Sequence, residues 1–125
     1  MWPSILAIFC GAGLGALLRA GFNFATVSIA STLPLGTFIS NMVGGYMVGI
    51  AVAFFASNPS LSPEWKLFVI TGFLGGLTTF SSFSVEVVGF MQRGEVTWAL
   101  GTALLHLAGS LALTFLGIMT YQALK

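Results

Sequence analysis

The chain has 125 residues, 57% of them hydrophobic and 6% charged, with a formal net charge of +1 and a mean hydropathy of +1.01. A soluble domain carries about 25% charged residues, so this composition excludes a soluble globular protein and makes the lipid bilayer the expected surroundings. The chargeable side chains are Arg19, Glu64, Lys66, Glu86, Arg93, Glu95, His106 and Lys125, and they leave charge-free runs from Ala20 to Pro63, from Leu67 to Val85 and, apart from His106, from Val96 to Leu124.

A bilayer-spanning helix takes roughly 20 apolar residues. The pattern therefore predicts an all-α membrane protein, a single transmembrane domain over 1–125 with helices at about 3–28, 35–56, 63–91 and 96–121. In the first span no Lys or Arg precedes the apolar run and Arg19 follows it, so it reads as a mature helix and not a secretory signal. The single cysteine, Cys10, has no partner for an intrachain disulfide or a metal site and is expected to be a small core residue. Gly11 and Gly15 have GxxxG spacing, as do Gly45 with Gly49 and Gly72 with Gly76. Such faces let helix backbones approach closely in lipid, either within one chain or between copies.

"STLPLG", Ser31 to Gly36, supplies turn chemistry before the second span, where Thr37 stands four residues before Asn41. "SNPSLSPE", Ser57 to Glu64, closes that span in the same way. The third span, unbroken, would be about 43 Å long at about 1.5 Å per residue, against a hydrocarbon core of about 30 Å. Gly75 and Gly76 weaken helix continuity, and Thr78, Thr79, Ser81 and Ser82 can bond freed backbone groups, so a break near mid-membrane is expected. Non-helical backbone at that depth must be buried in protein or line a cavity. Two accounts stay open: an ion site at crossing broken helices, with carbonyls toward cations and helix N-termini toward anions, or a kink filled by side-chain back-bonding. Beyond it, Phe80 and Phe83 share a helix face, and Glu86 follows three residues on, toward the mouth of that face.

"QRGE", Gln92 to Glu95, makes the last turn. The fourth span carries His106, Ser110 and Thr114 at i, i+4 and i+8, a polar stripe of the kind that normally faces the bundle or water. Across the four spans, Lys66 and Lys125 fall on one side and Arg93 on the other, with Arg19 nearer the second. So weak a positive-inside bias suggests insertion in both orientations and an antiparallel homodimer.

Three stretches, "GAGLGALLR" at Gly11 to Arg19, "GTFISNMVGGY" at Gly36 to Tyr46 and "GGLTTFSSF" at Gly75 to Phe83, resemble the Fluc (CrcB) fluoride channels, and the similarity runs through all four helices. The resemblance implies a fluoride-selective channel of the bacterial inner membrane, a passive exporter of F⁻ that protects the cell from fluoride toxicity. It also implies a structural Na⁺ at the centre of the dimer, held by backbone carbonyls that map to Gly75 and Thr78. Carbonyl oxygens suit a hard cation.

Fluoride is tightly hydrated, so a pore must replace its water with donors that still release the ion. Asn41 offers an amide NH₂, Ser81, Ser110 and Thr114 offer hydroxyls, and Thr37 is a minor member of the same set. The place of Phe80 and Phe83 in the family motif implies pore residues, whose ring edges carry positive partial charge. Arg19, Glu86 and His106 are expected at a vestibule or mouth, without a settled role. No nucleic-acid partner is expected. A dual-topology multidrug/proton antiporter is the rival with the same architecture, but it would need a carboxylate in the first helix, where this chain has Arg19 and no acidic residue before Glu64. An accessory structural membrane subunit would use the same donors as packing contacts. An enzyme is not expected, because His106 has no acidic residue in its helix and no nucleophile motif accompanies it.

Overall fold

Small residues at helical spacing in an apolar chain favour helices that meet backbone to backbone. The computed structural model of the protein describes residues 1–29 and 34–125, and the first half of the expected turn at Ser31 to Gly36, residues 31–33, lies outside them. Helix α1 covers Trp2–Thr26 and α2 covers Leu35–Ser57. Helix α3 runs through Pro63–Lys66, Leu67–Leu74 and Gly75–Leu77 without interruption, α4 covers Phe80–Gln92, and α5 covers Val96–Leu124. There is no strand among the described residues. The helices make four spans long and apolar enough to cross a membrane, the third of them, Pro63–Gln92, shared by α3 and α4.

Proline opens α1 and α3 in the first helical turn, where its missing N–H loses no hydrogen bond. Gly94 takes a φ of 76°, the left-handed conformation that lets the chain reverse between α4 and α5. Arg93 and Glu95 form an ion pair of 2.7 Å across that turn.

Helix α1 lies along α3, α2 lies along α5, and α4 leans on α5. At the first contact Gly11 and Gly15 face the backbone of Phe68, Gly72 and Phe73, while Gly72 and Gly76 face Ile8 and Ala12. At the second, Gly45 and Gly49 face the backbone of Ser110 and Thr114, and Gly117 faces Tyr46 and Ile50. A Cβ at any of these positions would press on a neighbouring backbone. All three GxxxG pairs are thus occupied in packing the helices of one chain.

The middle of α3, Leu67–Leu74, is π-helical, and the N–H of Gly75 reaches back five residues to the carbonyl of Ile70. The wider winding changes which residues meet α1. They recur at Phe68, Gly72 with Phe73, and Leu77, four to five apart, where an α-helix would repeat at three to four. Leu74, Leu77 and Ala51 form the core between α2 and α3, flanked by Phe22, Val43, Met47, Ile70 and Phe73. Cys10 is exposed, contrary to its expected place in the core. Its neighbour Gly11 is the residue that α1 turns toward α3, which leaves Cys10 on the outer face.

Candidate functional site

The third span is broken, but two residues later than the glycines that were expected to break it. Gly75 is helical, with φ −63° and ψ −37°, and Gly76 is pressed against Ala12 of α1. The extended residues are Thr78 (φ −86°, ψ 157°) and Thr79 (φ −150°, ψ 121°), and α4 begins at Phe80. β-Branched threonine is at ease in extended backbone, and both hydroxyls take part in ending the helices. Thr78 Oγ1 donates to the Leu74 carbonyl at 2.8 Å, and Thr79 Oγ1 caps α4 by accepting from the Ser82 N–H at 3.1 Å. Ser81, exposed, places its hydroxyl 3.1 Å from the same Thr79 oxygen.

Asn41, on α2, closes the break from the side. The N–H of Thr79 donates to Asn41 Oδ1 at 2.8 Å, and Asn41 Nδ2 donates back to the Thr79 carbonyl at 3.1 Å. The side-chain amide thereby pairs with one residue much as a neighbouring strand would. The same Nδ2 lies 3.1 Å from His106 Nδ1 on α5. Asn41 Nδ2 thus lies within hydrogen-bond distance of both the Thr79 carbonyl and the His106 ring.

His106 is 6% exposed and is held among aromatic rings. Its centroid is 4.7 Å from that of Phe83 and 5.2 Å from that of Phe38, which meets it edge-on at 74°. Phe80 meets Phe83 with the ring planes tilted by 55° and centroids 5.5 Å apart, and at 78% exposure it stands out from the surface of the single chain. Helix geometry also aligns α2 and α5: Asn41 meets His106, Gly45 meets Ser110 and Gly49 meets Thr114, each pair one turn beyond the last. Thr114 donates to the Gly45 carbonyl at 2.9 Å.

The remaining expected residues lie around this cluster. Arg19 Nε donates to the Gly76 carbonyl at 3.1 Å, so the guanidinium sits at the C-terminal end of α3, where the helix dipole favours a cation. Thr37 is buried beside Glu86. Glu86 Oε1 and Ser40 Oγ are buried without a hydrogen-bond partner among the described residues. The carbonyls of Gly75 and Thr78 have lost their helical donors, because the Thr79 N–H turns to Asn41 and the Ser82 N–H turns to Thr79 Oγ1. No group of three His, Cys, Asp or Glu side chains suited to a metal occurs among the described residues.

The family profile for "CrcB-like protein, Camphor Resistance (CrcB)" matches residues 6–118. The chain belongs to this family. It is 78% identical over 125 residues, all of both chains, to the "Fluoride-specific ion channel FluC" of Polynucleobacter asymbioticus. It is 56% identical to that of Burkholderia thailandensis, covering 98% of this chain and 96% of the relative. It is 52% identical to that of Pseudomonas aeruginosa, covering 96% and 94%.

The fold of this CrcB-like chain brings Asn41, Phe83 and His106 into one contact set, joins Phe80 and Ser81 to it at the surface, and runs Ser110 and Thr114 along the adjoining α2–α5 seam. Sequence reasoning missed two neighbours. Phe38 precedes Asn41 by three residues on the same face of α2, and Thr102 precedes His106 by four on α5, extending the polar stripe by one turn. Both border, with His106, Phe90 and Trp98, a cavity of about 200 Å³. Helical spacing alone would have flagged them.

Proposed function

We propose that the protein is a fluoride-selective channel of the bacterial inner membrane, letting F⁻ leave the cytoplasm passively down its electrochemical gradient. The observation that carries this is full-length similarity to relatives named as fluoride-specific ion channels, in a chain whose helix break is built from neutral donors and aromatic rings. Neutral donors are the chemistry the task needs. An anion stripped of water is stabilised by hydroxyl, amide and ring-edge dipoles, and released because no fixed cation traps it. Phe80 and Phe83 present ring edges, Ser81, Ser110 and Thr37 present hydroxyls, Thr114 lies on the same seam with its own hydroxyl donated to the Gly45 carbonyl, and Asn41 holds the break that aims them. Arg19 donates through Nε to the Gly76 carbonyl and adds positive potential at the end of α3.

We further infer that the working unit is an antiparallel homodimer. Gly75, Phe80 and Ser81 are exposed on the single chain, next to carbonyls that lack helical donors. In lipid such groups cost several kcal/mol each, and a second copy would cover them. Gly75 and Thr78 suit a Na⁺ by donor chemistry, since both offer carbonyl oxygens and glycine leaves room for close approach. When bound, that ion would supply charge neutralisation for the carbonyls of both copies.

The antiporter alternative lacks its carboxylate, since α1 has Arg19 and no acidic residue. The decisive experiment is anion efflux from liposomes holding the purified protein, with valinomycin carrying K⁺ as counter-ion. Rapid F⁻ release without Cl⁻ release is expected. Silence from a folded dimer would overturn the proposal, and proton-coupled export of cationic drugs would then be tested.

A further inference from the structure

We propose that His106 is a positioning residue of the conducting path, a neutral imidazole protonated on Nε2 whose Nδ1 holds the Asn41 amide onto the helix break and whose ring holds Phe83. The inference rests on the channel function proposed above, and deepens it.

The orientation of Asn41 decides the tautomer. Its two bonds to Thr79 are complementary, since the backbone N–H can only donate and the carbonyl can only accept. Oδ1 must therefore face the Thr79 N–H and Nδ2 the Thr79 carbonyl, and the amide cannot be flipped without opposing like groups at both. Nδ2 is consequently a donor toward His106, and a ring nitrogen 3.1 Å away must accept. A proton on Nδ1 would set two donors against each other, so the ring's proton belongs on Nε2, the nitrogen turned away from Asn41.

The contacts around the ring agree with a neutral imidazole. The chargeable groups on the helices packed against His106 are Glu86 on α4, which lies beside Thr37, Arg93 just beyond the end of α4, and Tyr46 on α2. Arg93 pairs with Glu95, and Tyr46 donates to Thr120. The ring is instead enclosed by Phe38 and Phe83. His106 thus ties three helices: α2 through Asn41, α4 through Phe83, and its own α5. A residue that only filled space would need neither the acceptor nor its fixed tautomer.

Because the chain has one histidine, ¹⁵N-labelled histidine gives a single pair of ring signals in the unaltered protein. At neutral pH the expected spectrum has Nδ1 unprotonated and Nε2 protonated. An imidazolium or an Nδ1–H ring would overturn the proposal, and this readout stands whether or not the protein conducts fluoride. In liposomes, His106→Leu is expected to slow F⁻ efflux about tenfold, the rate equivalent of one net hydrogen bond. His106→Asn, whose side-chain oxygen can still accept from Asn41, is expected to restore most of that loss. Adding His106→Leu to Asn41→Ala is expected to cost clearly less than His106→Leu does alone, because the bond to Asn41 is already gone and only the contact with Phe83 remains to be lost. Additive losses, or full flux in His106→Leu, would reduce the imidazole to packing. An absence of F⁻ flux in the unaltered protein would instead count against the channel function.

Discussion

Replacing Asn41 with alanine tests the helix break most directly. The amide makes three hydrogen bonds, of 2.8, 3.1 and 3.1 Å, and alanine leaves the Thr79 N–H, the Thr79 carbonyl and His106 Nδ1 without partners. An orphaned buried polar group costs about 1–3 kcal/mol, and the lower end applies here because all three bonds are only partly buried. The loss is then about 3 kcal/mol, equivalent to about a 100-fold change in how often the break holds its geometry. If conduction needs that geometry, F⁻ efflux from liposomes falls by about 100-fold. In detergent the thermal midpoint falls by about 10 °C, taking about 3–4 °C per kcal/mol for a chain of this size. Asn41→Asp separates the parts: it keeps an acceptor for the Thr79 N–H but loses both donors, so its midpoint should lie between wild type and alanine. Hydrogen exchange at the Thr79 amide gives a local reading, since that proton is protected only through Asn41 Oδ1. An alanine variant with unchanged midpoint, full flux and a protected Thr79 amide would refute the reasoning outright.

Other perturbations bear on the remaining parts of the site. Phe83→Ile and Phe80→Ile should each abolish or strongly reduce F⁻ efflux while a folded dimer survives on size-exclusion chromatography. Phe83→Ile should also lower stability by about 1 kcal/mol through its lost stacking on His106, so full flux in either variant would remove that ring from the path. Gly49→Ala and Gly76→Ala drive a methyl into the backbone of Thr114 and Ala12 respectively and should destabilise by about 1–3 kcal/mol. Gly101→Ala, with nothing within 4 Å of the added carbon, should be neutral or stabilising, and equal effects at all three positions would count against the packing described. If the proposed dimer holds Na⁺ at Gly75 and Thr78, exchanging Na⁺ for a bulky organic cation lowers the thermal midpoint and loosens that dimer. At 100 times its Kd a native-state ligand contributes about 2.7 kcal/mol, and a midpoint indifferent to Na⁺ would exclude the ion from Gly75 and Thr78.

The four spans were legible because a charge-free run of about 20 residues has few alternatives to a membrane helix. The break was legible in kind but misplaced, for a physical reason. Gly75 and Gly76 were read by their intrinsic weakness in helices, yet a glycine that lets two backbones touch gains more from tertiary contact than it loses in propensity. Gly76 is such a residue, pressed on Ala12 and bonded through its carbonyl to Arg19.

What ends α3 two residues on is the reach of Asn41, a residue 38 positions earlier in the chain. That reach depends on the register of α2, and the register of α2 against α5 is set in turn by Gly45, Gly49 and Gly117, where side chains larger than hydrogen would not fit. The donors were visible in the sequence as residue types, but their pairing was not, because it belongs to the relative height of two helices. For the same reason Asn41 was first read as a free donor for the ion, whereas its Nδ2 lies within hydrogen-bond distance of both the Thr79 carbonyl and the His106 ring. Sequence spacing places side chains on the faces of one helix. Only the packed glycines decide which rung of the next helix they meet, and at this site the meeting of Asn41 with Thr79 and His106 turns a kink into a built structure.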